Sequence, residues 1–504
     1  MRKTLLSVFC LFSMYGLSAQ QNVLWEKSIG GEQAEYLYNA ISTPDYGFLI
    51  LGSSASDTTG DIQKKNQGSL DYFIWKMDEN GKQEWQNSFG GNGSDFLYTA
   101  KPTADGGYIL AGASTSSKSG DKTSNNQGAE DIWVIKIDAQ GKLQWQNSFG
   151  GNGNDIPVDV IRTKDGGYLI ASNSNSIPST FKKAENFGGN DYYIIKLNEK
   201  GKIQWEKSYG GIFDDKIKSV VETKSGFLLI GNSNSPASGN KSTDQTSNAT
   251  WIIQIDQKGE IISENNLGLN SENQLISFQE NEHNFIFSVN EKTEKIFKPK
   301  VIQTDFDLRV QKKTELEIKD NLAITEVKLI DNKFLLTANQ ITSLEQLKSN
   351  SHSIESYYIT QSFDQNGSEI WNKKFGEKGF NYLEKAITTR DGSIILFGNS
   401  TQQAKGNKGQ SDFYLVKLGK EGDDIKRVYI EAYPNPTKDI VNVLINKEFE
   451  KASIEIYNLV GQHFQSKEVK YRSTPISLEN YPSGIYILKI NTDNQTESIK
   501  IIKK

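Results

Sequence analysis

Carboxylates are the side chains whose types and spacing could do chemistry in this chain. Asp95, Asp155 and Asp215 each follow a glycine pair at the same distance, and Asp61 and Asp121 recur in TTGD and KSGD. Oxygen donors repeated at one phase suit a hard cation, which makes Asp61 and Asp121 candidate calcium ligands and calcium the one cofactor the sequence offers. Aspartate at such positions equally suits a turn, where its side chain accepts hydrogen bonds from backbone amides. A residue repeated with its unit serves that unit more often than a site, so the turn role is favoured. Glycoside cleavage needs two carboxylates at a set separation in one cavity, and repeated aspartates give too many equivalent pairs to single one out.

Other reactive groups are scarce. The chain has 3 histidines, His283, His352 and His463, too dispersed for a triad or a zinc site. Its only cysteine, Cys10, lies near the start. A chain that loses that segment has no disulfide, no thiolate nucleophile and no cysteine-ligated zinc. The stretches GGNGSD and GGNGND lead into strand-like sequence. They therefore lack the helix N-terminus that phosphate cradling uses. No catalytic or cofactor-binding residue is singled out.

Residues 1–19 read as a secretory signal: Arg2 and Lys3, an apolar run from Leu5 to Leu17, then Ser18-Ala19 before Gln20. Cys10 is not at the cut, which excludes a lipoprotein anchor, and no later segment is apolar enough to span a membrane. Without Arg2 and Lys3 the balance is 55 basic to 62 acidic residues, a net of -7. An acidic surface repels phosphate backbones and anionic headgroups, which argues against nucleic acid and against a polybasic membrane anchor.

The elements that position the carboxylates come from a repeat. Trp25, Trp85, Trp145 and Trp205 stand 60 residues apart in WEKSIGG, WQNSFGG, WQNSFGG and WEKSYGG, and the phrase returns as WNKKFGE at Trp371. Each of the later tryptophans follows a turn such as DENGKQEW, whose glycine (Gly81, Gly141, Gly201, Gly367) supplies positive φ. Two weaker copies place Ser263 and Lys312 at the tryptophan position. Short, β-branched, turn-bounded apolar runs give about four strands per unit, and seven units, the architecture of propeller blades. The seventh lacks a tryptophan strand and Val23 to Gly30 lacks a unit, so the first strand is expected to close the last blade. Trp25, Trp85, Trp145, Trp205 and Trp371 are expected to be largely buried between blades, and the paired glycines to let one blade cross closely over the next.

This pattern resembles the seven-bladed β-propeller repeat family over roughly residues 22–422. The turn-glycine-x-x-tryptophan element is also shared with quinoprotein dehydrogenases, whose eight blades, calcium ligands and quinone pocket have no counterpart here. After Gly422 the pattern changes to AYPNPTKDIVNVLI, ASIEIYNLVGQHF and ISLENYPSGIYILKI. Alternating apolar positions make this a compact β-sandwich. Tyr433-Pro434-Asn435-Pro436, Tyr457-Asn458 with Gly461, Tyr481-Pro482-Ser483-Gly484-Ile485-Tyr486 and the basic Lys503-Lys504 resemble the type A C-terminal sorting domain of type IX secretion cargo. The resemblance implies handling by the type IX machinery, removal by a sortase-like protease, and a secreted or surface-attached product.

The expected fold is all-β: a signal peptide (1–19), a seven-bladed propeller of four-stranded blades (20–422), a charged linker (423–428) and a small C-terminal β-sandwich (429–504), with few contacts between the two folded parts. The function expected is a binding or scaffold module for a glycan or protein ligand. The alternative is a polysaccharide-active enzyme with acidic residues in the central funnel.

Overall fold

The structure is a computed structural model. It describes residues 22–244, 248–269, 272–293, 296–320, 322–341, 355–376, 379–389, 391–401, 406–419, 429–433, 435–437, 440–493 and 495–504. The leader 1–19, the linker 423–428, His352 and Pro434 lie outside the described residues.

Seven four-stranded antiparallel sheets follow one another along the chain. The first consists of Glu35–Ser42, Phe48–Ser54, Asp71–Met77 and Gln83–Phe89. Touching neighbours close the set into a ring: the first strand of each sheet packs on the first strand of the next, from Glu35–Ser42 round to Asn381–Thr388 and back. First strands are therefore innermost and tryptophan strands outermost, which is a seven-bladed β-propeller. The weak copies are complete blades, beginning at Asn273–Glu280 and Ala323–Ile330. Asn22–Ile29 is the outer strand of blade 7, paired with Asp412–Gly419 from Asn22↔Gly419 to Ile29↔Phe413.

Local chemistry explains the repeat. The third strands, such as DYFIWKM and DIWVIKI, are buried along their whole length, as β-branched and aromatic residues packed on both faces should be. The outer hairpin is an Asx turn: Asp78 Oδ1 accepts from Asn80 N at 2.8 Å and Lys82 N at 2.8 Å. Gly81 in that turn has φ +81° and lies under the preceding blade's tryptophan, where a Cβ would sit 3.1 Å from the Trp25 ring. Trp85 stands in the same way over Gly141, and Trp145 over Gly201. All five repeated tryptophans are half-buried, and Trp25, Trp85, Trp145 and Trp205 are staples over the next blade's turn. They are packed against the blade cores but less deeply buried than expected, since the outer strands lie at the rim of the ring, and the deeply buried indoles are Trp75, Trp133 and Trp251 on third strands.

The C-terminal part forms a three-stranded sheet (Ile430–Tyr433, Ile440–Ile445, Ser473–Ser477) and a four-stranded one built on Ala452–Asn458 and Gly484–Thr492. Their facing residues, among them Val441, Val443, Ile454, Leu488 and Ile490, make a core of their own.

Candidate functional site: the channel of the ring

Carboxylates gather at two places, the joints between blades and the channel. At the joints, the start of a third strand meets the start of the next blade's inner strand: Asp71 with Asp95, Asp131 with Asp155, Asp191 with Asp215, and Asp412 with Glu35. Their side chains lie against the first glycine of each pair, where a Cβ on Gly30 would come within 2.4 Å of Asp412 Oδ1 and 2.5 Å of Glu35 Oε2. The glycines thus make room for acid pairs, where the sequence reading expected chains to cross. Asp95 Oδ2 accepts from Gly91 N at 2.9 Å and Ser116 Oγ at 2.8 Å, an amide-capping geometry repeated at Asp155 and Asp215. Burial pushes Asp71 and Asp191 up to about 7 and Asp131 and Asp412 to about 6, with the neighbouring carboxylate adding to each shift. Two other joints replace the acids with neutral pairs, Thr250 with Asn273 and Ser356 with Asn381.

Asp61 and Asp121 sit in successive polar loops. Asp61 Oδ2 accepts from Gly30 N at 3.2 Å and from Lys408; Asp121 Oδ2 accepts from Gly90 N at 3.3 Å and from Gln67. Each ties its loop to a glycine pair, and the two are not brought together. Among the described residues no group of three His, Cys, Asp or Glu side chains is arranged to hold a metal ion.

The channel is built by one device repeated seven times. Every inner strand carries a β-bulge at the same register, leaving one residue out of the ladder: Tyr38, Tyr98, Val158, Lys218, Ile276, Thr325 and Glu384. All seven are exposed or half-buried, while Leu37, Leu97, Ile217, Leu275 and Leu383 just before them are fully buried. A bulge re-aims a side chain, and here it turns one residue per blade out of the sheet packing toward the axis.

The lining is not symmetric. Blades 1 and 2 contribute Tyr38, Phe96 and Tyr98 in mutual ring contact, Tyr38 to Tyr98 at 5.1 Å and Phe96 stacked on Tyr98 at 6.3 Å. Phe380 and Tyr382 of blade 7 stack at 6.1 Å. Blade 4, across the axis from blades 7 and 1, contributes the exposed Lys216 and Lys218. Burial lowers the Lys218 pKa although the side chain is open to solvent, as befits a group in water but ringed by protein. Between blades 6 and 7, Glu326 bridges Lys328 at 3.0 Å and Lys385 at 2.7 Å. Burial opposes its ionisation, yet the two ammonium groups hold it down to about 2. Glu384 has no such support, and burial alone pushes it up to about 7.

Most of the channel residues escaped the sequence reading, because a bulge breaks the period-two alternation by which facing residues are recognised. The usable signal was the departure from repeat identity at one phase, Tyr38, Tyr98 and Val158 giving way to Lys218 and Glu384.

In the sandwich, the motif residues build turns and ties. Asn435 Nδ2 donates to Lys500 O at 2.7 Å, and the Asn435–Pro436 peptide is cis. Asn458 Oδ1 caps the turn at Gly461 by accepting from Val460 N and Gln462 N at 3.1 and 2.9 Å. The following segment runs through Gly484, and Tyr486 OH donates to Pro482 O at 2.7 Å. Lys503 is buried, its ammonium donating to Leu478 O, Glu479 O and Tyr481 O.

Residues 431–504 match the model of the secretion system C-terminal sorting domain, and the chain is exported by type IX secretion to the cell surface or the extracellular space. Over 151 residues it is 26% identical to the regulatory protein FlaEY of Caulobacter vibrioides, a match spanning 28% of this chain and 16% of that protein. Among solved structures it is similar to Drosophila Semaphorin 2a at 8% identity and a TM-score of 0.45, covering 96% of this chain and 98% of that one. It is also similar to a PL25 ulvan lyase at 9% identity and a TM-score of 0.43, covering 77% and 96%. Among the described residues no helix is long and apolar enough to cross a membrane.

Proposed function

We propose that the exported propeller is a binding module that grips a glycan in its channel, with the aromatic arc of blades 1, 2 and 7 as the platform. The observation that carries this reading is the cluster of partly exposed rings at the inner strands, Tyr38 and Tyr98 at their bulges and Phe96 stacked on Tyr98, with Tyr38 edge-on to both. Sugar rings present apolar faces that stack on such surfaces, and ring stacking tolerates many sugars. Lys216 and Lys218 opposite would pair with carboxylate or sulfate groups, which favours an acidic glycan. Calorimetric titration with acidic and neutral oligosaccharides tests this. Tyr98→Ala and Lys218→Ala should each weaken binding of the acidic ligand about tenfold with the melting temperature retained. Equal affinity in parent and both variants would reject the channel as the site.

A second reading, cleavage of the bound polysaccharide, is favoured by Glu384, a channel carboxylate poised near neutrality as a general acid or base should be. Product release by the parent and none by Glu384→Gln would select it over pure binding.

A further inference from the structure

The sorting domain sits on one particular blade, and the residues that receive it are those by which blade 1 departs from its repeat. In blades 2, 3 and 7 the turn after the inner strand has a left-handed residue that is glycine, Gly106, Gly166 and Gly392, with φ of 81°, 87° and 73°. In blade 1 it is Tyr46, at φ 63°. L-residues with bulky side chains rarely adopt that conformation. The Tyr46 hydroxyl donates to the Glu431 carboxylate of the sorting domain.

A second departure lies nearby. Blades 2 and 3 have Gln144 and Gln204, whose carbonyls accept from Lys136 at 2.8 Å and Lys196 at 2.9 Å. Blade 1 has Glu84, which keeps the lysine contact through Oε2, 2.5 Å from Lys76, and turns Oε1 toward Arg472 Nη1 at 3.6 Å. Glu79, where blade 2 has Ala139, lies 3.9 Å from Arg472 Nη2. The guanidinium is aimed by its own domain, donating to Asn446 Oδ1 at 2.8 Å. Blade 2 adds close contact only: a Cβ on Gly106 would stand 2.6 Å from Asn442 Oδ1. A cleft of about 770 Å³ runs between the two parts, lined by Trp85 and Glu84 on one side and Arg472 and Asn446 on the other. The few contacts that cross between the two parts are polar and loosely packed.

We propose that blade 1 carries a dedicated dock for the chain's own sorting domain, a two-carboxylate receptor for Arg472 with Tyr46 as its second anchor. Nothing in a seven-fold ring selects one blade. The Glu84 and Tyr46 substitutions do, and the conformational strain at Tyr46 is accounted for by what its hydroxyl reaches. The dock is independent of what the channel binds. Its polar contacts and open cleft make it releasable, so that the domain is held in one pose while the two parts are joined and leaves once they are cut.

The test uses the full chain without its leader, which has no cysteine of its own. Lys82→Cys with Glu448→Cys replaces an exposed pair whose charged atoms lie 3.3 Å apart, and a short bis-maleimide would link them. The control is Lys142→Cys with Glu448→Cys, at the same turn position in blade 2. The blade 1 pair should cross-link at least about tenfold faster than the control, since docking raises the local concentration of one partner only. Adding Arg472→Ala or Tyr46→Gly should slow the blade 1 pair by about fivefold or more, by the same logic. Tyr46→Gly installs the residue other blades use, so it should fold, and an unchanged or raised melting temperature verifies that. Equal rates for the two pairs, or a blade 1 rate unmoved by both variants, would overturn the dock.

Discussion

Replacing Asp71 with asparagine should stabilise the propeller at mildly alkaline pH. Asp71 is 1% exposed and packs beside Asp95, and burial together with that neighbour pushes it from its ordinary 3.8 up to about 7. A carboxyl whose folded pKa lies above its unfolded value favours the fold when protonated. Its contribution is complete below about pH 4 and is lost as pH rises through about 7. A rise of three units corresponds to about 4 kcal/mol at 1.36 kcal/mol per unit, and relaxation of the site would reduce this to about 2. Asparagine keeps the acceptor for Gln67 N, now at 2.8 Å from Oδ2, and turns a donor toward Asp95 in place of the unpartnered Oδ1. The Thr250–Asn273 and Ser356–Asn381 joints show neutral pairs occupying the same place. Urea denaturation should find Asp71→Asn more stable than the parent by about 2 kcal/mol at about pH 8, with the gap closing toward about pH 4. A variant less stable than the parent at the alkaline end would refute the reasoning, since it would mean that the ionised pair is held by a favourable partner.

Trp85→Ala should cost about 2–3 kcal/mol in urea denaturation, less than a fully buried indole, because the ring is half-buried over Gly141. Val fails there for a different reason: Gly141→Val meets the same ring at φ +79° and should destabilise comparably, measured the same way. Truncation of residues 22–29 should leave the edge of Asp412–Gly419 unpaired and give concentration-dependent aggregation in light scattering, with a monodisperse sample counting against closure by this strand. If Asp61 and Asp121 serve only the glycine amides and the Lys408 and Gln67 side chains that reach them, added calcium or a chelator should leave the melting temperature unmoved; a calcium-dependent rise would place the ion there.

The blades were legible because their signals are local: the Asx turn, the glycine with positive φ and the tryptophan four residues later are neighbours in the chain. Ser263 and Lys312 could be placed only by spacing, and Lys312 shows why the substitution is tolerated, its ammonium donating to Gln365 O at 2.8 Å in the next blade's turn. What the glycine pairs do was not legible, since the Asp412 side chain beneath Gly30 arrives from the far end of the chain. The channel was hidden for the same kind of reason. Tyr38 and Glu384 read as ordinary strand residues until the bulge at Leu37/Asn39 and Leu383/Lys385 shows which way they turn. The buried lysines 76, 136 and 196 also needed the fold, for their partners Asp45, Asp105 and Asp165 belong to turns of other hairpins.

The pairing of Ile29 with Phe413 sets an order of events in time. Of the ring's strands, Asn22–Ile29 is made before the others and must wait longest, because the edge it joins emerges only after six blades have been delivered. Until then blade 7 has three strands at most, and the nascent ring has two open flanks. Joining ends so distant in the chain is slow, and its entropic toll must be met before the last sheet gives anything back. Directly behind that last sheet comes the sorting domain. A chain that stops short therefore lacks both its closing edge and its export label, so only molecules able to shut the ring carry the label that sends them out.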